Sequence, residues 1–196
     1  MKPFVLLFTS VCWLISIQAA SAQTTKGSPA PLRAIAVLHP AQGADVHGTI
    51  TFREVADGVR VEGEITGLTP GKHGFHVHEF GDCSAPDASS AGGHFNPTNQ
   101  PHGAPNSRER HEGDMGNVEA DSSGVAKVNY LDHVLSFVGA KSLIGRAVIV
   151  HAKADDLKSQ PAGDAGARVS CGVIGWAKSG ETVKSAHLRP QKPCWR

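Results

Sequence analysis

The chain has 196 residues, with 19 Lys and Arg against 18 Asp and Glu, a formal net charge of +1. No run or patch of basic residues accompanies that balance, which excludes a nucleic-acid-binding surface, since phosphate neutralisation needs clustered Lys and Arg. The length suffices for one domain with a real hydrophobic core.

Residues 1–22 read as a signal peptide. Lys2 supplies a positive start, Val5 to Ile17 an apolar run, and Ala20-Ser21-Ala22 a small-residue cleavage site. The apolar run falls short of the ~20 residues that a membrane span needs, so removal and export are expected, with a mature chain starting near Gln23. Loss of Lys2 then leaves eighteen basic and eighteen acidic side chains. No later segment is long and apolar enough to cross a bilayer. Residues 23–32 read as a flexible lead-in, 33–177 as the folded domain, and 178–196 as a polar tail ending Pro193-Cys194-Trp195-Arg196. There is no internal repeat.

Between these ends the pattern is β. Ala34–Leu38, His47–Arg53, Val59–Thr66 and Lys72–Glu79 alternate or are β-branched, with Asp57-Gly58 and Pro70-Gly71 as turn signals. Gly116–Ala120 and Val125–Tyr130 flank a further hairpin signal, Asp121-Ser122-Ser123-Gly124. Ser142–His151 and Arg168–Gly175 complete eight strands. No segment sustains a helical period with caps, so the expected class is all-β, a sandwich or flattened barrel. Two long connections remain, 80–115 and 152–167, and loops of such length are usually functional or disordered.

The histidines carry the chemistry. His76-Val77-His78 lies in a predicted strand, where residues i and i+2 share a face, so both imidazoles can reach one metal while Val77 packs on the other side. His94, His102, His111 and Asp114 follow on a segment rich in Gly, Pro and Asn. Three imidazoles and a carboxylate suit tetrahedral zinc, and His76, His78 and a third imidazole suit copper. Each set wants more ligands than its own segment holds, and a shared histidine resolves the shortage. His151, at the end of an apolar strand, would alone read as a packing or turn residue. His39, His47, His73, His133 and His187 read as ordinary histidines.

The runs Gly71–Asp82 (GKHGFHVHEFGD), Gly93–Pro97 (GHFNP), Gly113–Val118 (GDMGNV), Gly145–Asp156 (GRAVIVHAKADD) and Gly166–Gly175 (GARVSCGVIG) resemble the copper/zinc superoxide dismutase family. The resemblance spans about residues 33 to 177 in the family's order. It implies an eight-stranded antiparallel Greek-key β-barrel with two functional loops. It implies one copper per subunit on His76, His78, His94 and His151, and one zinc per subunit on His94, His102, His111 and Asp114. His94 would be the bridge, a doubly deprotonated ring that only two adjacent cations make reasonable. The implied reaction converts superoxide to dioxygen and hydrogen peroxide, with copper alternating between two oxidation states and His94 taking and returning a proton. Arg168 matches the family's active-site arginine, a permanent cation able to hydrogen-bond an oxyanion. Asp155 matches the carboxylate that links a copper histidine to a zinc histidine and orients both rings, although adjacent Asp156 competes for that role.

Cysteine usage fits export. Cys12 leaves with the signal, and the resemblance implies a Cys83–Cys171 disulfide, worth roughly 4–5 kcal/mol in the chain-entropy model. The position of Cys83, shortly after His78, resembles exported bacterial members more than the cytosolic form. Cys194 is left over, as a free thiol, an intermolecular bridge or a tail residue. Leu157–Gly166 is short and mostly neutral where eukaryotic members carry steering charges, so weaker and less salt-sensitive steering is expected, with Lys153 and Lys158 as an alternative field. Phe80-Gly81, Ile144-Gly145 and Gly172–Gly175 resemble the eukaryotic dimer contact, and a homodimer is expected. The expected compartment is the periplasm of a Gram-negative bacterium, otherwise the extracellular space. The competing functional reading is a non-catalytic copper-binding or copper-delivery domain on the same fold, which would be expected to lack Arg168 or a ligand. A structural or adhesive β-module with incidental zinc is the third.

Overall fold

The computed structural model describes residues 31–178. The segment 1–22 read above as a signal peptide, the expected lead-in up to residue 30, His187, Cys194 and the expected tail beyond residue 178 lie outside the described residues. Eight strands follow in chain order: β1 (Arg33–Pro40), β2 (His47–Val55), β3 (Gly58–Thr66), β4 (Gly71–His78), β5 (Asp114–Ala120), β6 (Ala126–Asp132), β7 (Ala147–His151) and β8 (Arg168–Trp176). Two short 3-10 turns, Ser89–Ala91 and Gly139–Lys141, are the only helical pieces among the described residues.

All pairings are antiparallel and the sheet closes on itself in the order β1-β2-β3-β6-β5-β4-β7-β8. β3 leads to β4, which lies beyond β6 and β5, and β6 leads to β7 across β5 and β4. These two crossings make the Greek-key arrangement and leave no free sheet edge.

Alternation builds the interior. Ala34, Ala36 and Leu38 on β1, Ile50 and Phe52 on β2, Val59, Val61 and Ile65 on β3, and Phe75 and Val77 on β4 all point inward and are buried. β7 departs from alternation and is buried along its whole length. Val148 and Val150 enter the barrel core, while Ala147 and Ile149 pack outside it with Ala88, Ala91 and Cys171 beneath the first long loop. β4 is covered on both faces in the same way from His73 to His78. The metal-competent side chains therefore sit on the outside of the barrel wall, under loops.

Most strand ends fall within two residues of the sequence pattern, whereas the start of β7 lies five residues from it. The predicted strand over 142–151 is a strand only from Ala147, because Gly145 takes a positive φ of 76° and turns the chain. β5 begins at Asp114, two residues before the predicted start, so this carboxylate rides on a strand and not on the loop. β8 runs on to Trp176, whose ring stacks on Phe137 with centroids 5.7 Å apart.

Candidate metal centre

Two buried donor groups form, each with its ligand atoms within 4.8 Å of one another: His76, His78, His94 and His151, and His94, His102, His111 and Asp114. His94 belongs to both.

The first group is borne mainly by the barrel wall. His76 and His78 project from one face of β4, and β4 pairs with β7 (His76 opposite Ile149), which brings His151 alongside. Register shifts fall between Gly74 and His76 and between Val150 and His151, and such irregularities re-aim a side chain at the sheet surface. His94 arrives from the loop through an antiparallel bridge with His78. That bridge is extended by Phe95 N–H to Val77 C=O, Val77 N–H to Gly113 C=O and Gly113 N–H to Phe95 C=O, each 2.9 Å. Gly113 has to be glycine here, because a Cβ would stand 2.1 Å from the Val77 carbonyl oxygen.

Each ring of this group uses one nitrogen for orientation and leaves the other free. His76 Nε2 meets Asp155 Oδ2 at 2.7 Å, His78 Nδ1 meets the Gly92 carbonyl at 3.0 Å, His151 Nδ1 meets the Gly166 carbonyl at 3.1 Å, and His94 Nδ1 meets Asp114 Oδ1 at 2.8 Å. The opposite nitrogens, His76 Nδ1, His78 Nε2, His151 Nε2 and His94 Nε2, are buried without a hydrogen-bond partner. Buried polar atoms of this kind need an explanation, and four imidazole nitrogens converging on one point fit copper or zinc. Burial keeps the His78, His94 and His151 rings neutral. It pushes His94 down to about 4, His151 to about 3 and His78 well below its ordinary value.

The second group hangs on one carboxylate. His94, His102 and His111 bring their Nδ1 atoms to 2.8, 3.0 and 3.2 Å from Asp114 Oδ1. Three nitrogens and an oxygen so placed fit zinc. Asp114 Oδ2 accepts the backbone N–H groups of Gly103 and His111 at 3.0 Å. Burial alone would raise the Asp114 carboxyl, but the hydrogen bonds from His102, His111 and His94 hold it far below the carboxylate range. His102 Nε2 meets Asp155 Oδ1 at 3.0 Å. Burial opposes charge on that ring too, yet the Asp114 and Asp155 carboxylates facing its two nitrogens outweigh it and raise it to about 9.

Asp155 and not Asp156 makes the link between the groups. Its two oxygens take His76 and His102, and hydrogen bonds from both rings hold its carboxyl well down in spite of burial. Its backbone is held by the Asn117 side chain, donating to Asp155 C=O at 2.9 Å and accepting from Asp155 N–H at 2.8 Å. Asp156 instead accepts the backbone N–H groups of Lys158 and Ser159 and closes a local turn.

Arg168 starts β8 opposite His151. Its Nη1 and Nη2 donate to the carbonyls of Ala88 and Gly92 at 2.5 Å, so it shares the Gly92 carbonyl with His78. The segment that carries these carbonyls is tied to β8 by a disulfide between Cys83 and Cys171.

Several supporting residues gave no signal in the sequence. Buried Arg110 donates to both carboxylate oxygens of buried Asp132 at 3.0 and 2.9 Å, and also to the carbonyls of His111, Glu112 and Asp114. Glu112 accepts from Thr98 Oγ1 at 2.9 Å and from Lys141 Nζ at 2.8 Å. His73, grouped above with the ordinary histidines, is buried, and its ring nitrogens meet the carbonyls of His151 and Thr69 at 2.8 Å each. His39, His47 and His133 are exposed.

A family model described as copper/zinc superoxide dismutase matches residues 46–174. A solved structure described as a crystal structure analysis of the clock protein EA4 has a TM-score of 0.68 and 48% identity, covering 76% of this chain and 97% of that one.

Proposed function

The chain belongs to the copper/zinc superoxide dismutase family, and on that basis we propose that it is a superoxide dismutase acting through the two donor groups that share His94. The observation that carries this reading is the convergence of both groups on one histidine beside a fixed guanidinium.

Copper held by His76, His78, His94 and His151 would supply a centre that alternates between two oxidation states, and zinc held by His94, His102, His111 and Asp114 a fixed charge without redox change. The chain's own groups do the rest. The guanidinium of Arg168 spends one N–H of each terminal nitrogen on a carbonyl and keeps others for an anion, so superoxide is drawn to the His78 side of the site. With the Nδ1 side of its ring turned to Asp114 and the second donor group, His94 Nε2 would be the atom that takes up and returns a proton. Asp155 keeps the His76 and His102 rings from rotating. Two superoxide anions and two protons then yield one dioxygen and one hydrogen peroxide.

A copper-binding or copper-delivery domain without turnover needs the ligands but not Arg168, whose seating beside His78 weighs against that reading. Superoxide decay measured with the copper- and zinc-loaded chain, its metal-free form and Arg168→Ala decides between them. Metal-dependent dismutation that falls in the variant supports the enzyme; two bound metals without turnover support copper handling.

Two further parts of the reading rest on surface chemistry and compartment. Phe80, Val37 and Val173 are 51%, 48% and 46% exposed, and Gly81 lies against Val173 and the Gly145 carbonyl. Such apolar exposure favours self-association as a homodimer, which Phe80→Glu would convert to monomer in a light-scattering measurement. The disulfide favours an oxidising compartment, and no helix among the described residues is long and apolar enough to cross a membrane. Together with the signal-like segment 1–22, these support export, which fractionation of expressing cells would test.

A further inference from the structure

The loop 152–167 hydrogen-bonds to the second donor group at His102. Asp155 takes its ring, and a second side chain of the same loop takes its backbone. Gln160 Oε1 accepts the His102 N–H at 2.8 Å, and Gln160 Nε2 donates to the His102 C=O at 3.0 Å. The amide of Gln160 thus pairs with one peptide unit on each side of His102 as a neighbouring strand would. Gln160 Nε2 also donates to the Lys158 carbonyl at 3.1 Å, which fixes the side chain to its own loop.

The fit between loop and site is close. A Cβ on Gly163 would stand 1.8 Å from Asp155 Oδ1 and 2.7 Å from His102 Nε2, so the loop folds directly over the Asp155–His102 contact. His102 is buried, and its backbone groups need partners as much as its ring does. His94, by contrast, is held by its bridge to His78 on β4 and by Asp114, and the His111 ring by Asp114.

We infer that Gln160 is a positioning residue for the zinc site, fastening the 152–167 loop to the backbone of His102 so that zinc leaves only when this loop lifts. This inference rests on the zinc reading of the second donor group. The effect should be selective. Loss of Gln160 loosens His102 and leaves His76, His78 and His151, which sit on β4 and β7, in place. Because Gln160 is exposed, its removal opens no cavity and the variant keeps its fold. Partners that orient a ligand typically change metal affinity by about 10–100-fold when removed.

The test is release of zinc and copper from the holoprotein to chromogenic chelators, for the unaltered chain, Gln160→Ala, Gln160→Glu and Lys158→Ala. The expected result for Gln160→Ala is zinc release faster by about 10-fold with copper release unchanged, and an altered visible spectrum when cobalt(II) replaces zinc. Gln160→Glu keeps the acceptor for the His102 N–H but loses the donor to its carbonyl, and should fall between. Lys158→Ala, which leaves the backbone carbonyl in place, should match the unaltered chain. Equal zinc release from Gln160→Ala and the unaltered chain, or equal acceleration of both metals, overturns the inference. Failure of the unaltered chain to take up zinc or cobalt in this group overturns the zinc reading itself, which is a separate result.

Discussion

The two donor groups are built by different means. His76, His78 and His151 stand on β4 and β7, whose ladder hydrogen bonds and two buried faces fix the backbone without help from polar side chains. His94, His102 and His111 lie in the connection before β5, where little regular structure holds them. That connection is held instead by polar tethers: Arg110 to Asp132, Glu112 to Thr98 and Lys141, and Asp155 and Gln160 to His102. A strand orders its ligands through cooperative pairing, whereas a loop must be tied down contact by contact. The loop-borne group should therefore be the more easily disturbed of the two.

The largest expected effect tests whether the wall needs its disulfide. Replacing both Cys83 and Cys171 with Ser frees two positions 88 residues apart, which should lower unfolding free energy by about 4–5 kcal/mol in a denaturant titration. Copper binding should survive; loss of copper together with stability would break the comparison. Next comes Arg110→Met, which takes the guanidinium from the buried Asp132 carboxylate and one donor from each of three carbonyls. It should cost about 3–5 kcal/mol and remove zinc before copper on chelator titration. Arg168→Ala touches neither metal set directly. Losing a charged hydrogen bond to the substrate anion should lower kcat/KM by about 10–100-fold, equivalent to ~1.5–3 kcal/mol, with both metal contents unchanged.

A pH series on the metal-free chain separates the groups by sign. His94 and His151 are held near 4 and 3 against an ordinary 6.5, so below 6.5 the unfolded chain binds more protons and stability falls on acidification. Asp114 and Asp155, held below their ordinary 3.8, add to that loss once the pH falls beneath it. His102, raised to about 9, binds its proton more tightly when folded, so its contribution is complete below 6.5 and is lost as the pH rises through about 9. Stability should therefore peak near pH 6.5, with the alkaline limb absent in His102→Gln. The smallest expected effect is that of salt. Lys153 and Lys158 are exposed, but Asp156 and Asp164 on the same loop are exposed too, so kcat/KM should change by less than about 10-fold between low and physiological ionic strength.

What the sequence determined by itself is what rests on local pattern. Alternation predicted eight strands, because a half-buried strand records its two faces in every second residue. The His76-x-His78 spacing placed two imidazoles on one face for the same reason. The misplaced boundary at Ala147 came from an apolar run that cannot by itself show where the chain turns. Contacts between distant residues were legible only through the family resemblance, which supplied His151, Arg168, Asp155 and the Cys83–Cys171 pair. Tertiary structure alone decided that Asp155 and not Asp156 joins the groups, because Asn117 on β5 holds its backbone. It alone revealed that Asp132 anchors Arg110 across 22 residues, that His73 is buried beneath His151, and that Gln160 grips His102 from 58 residues away. These tethers join ordinary polar residues that carry no periodicity and no motif, and only the closed barrel with its two loops laid over β4 and β7 brings them within hydrogen-bond reach.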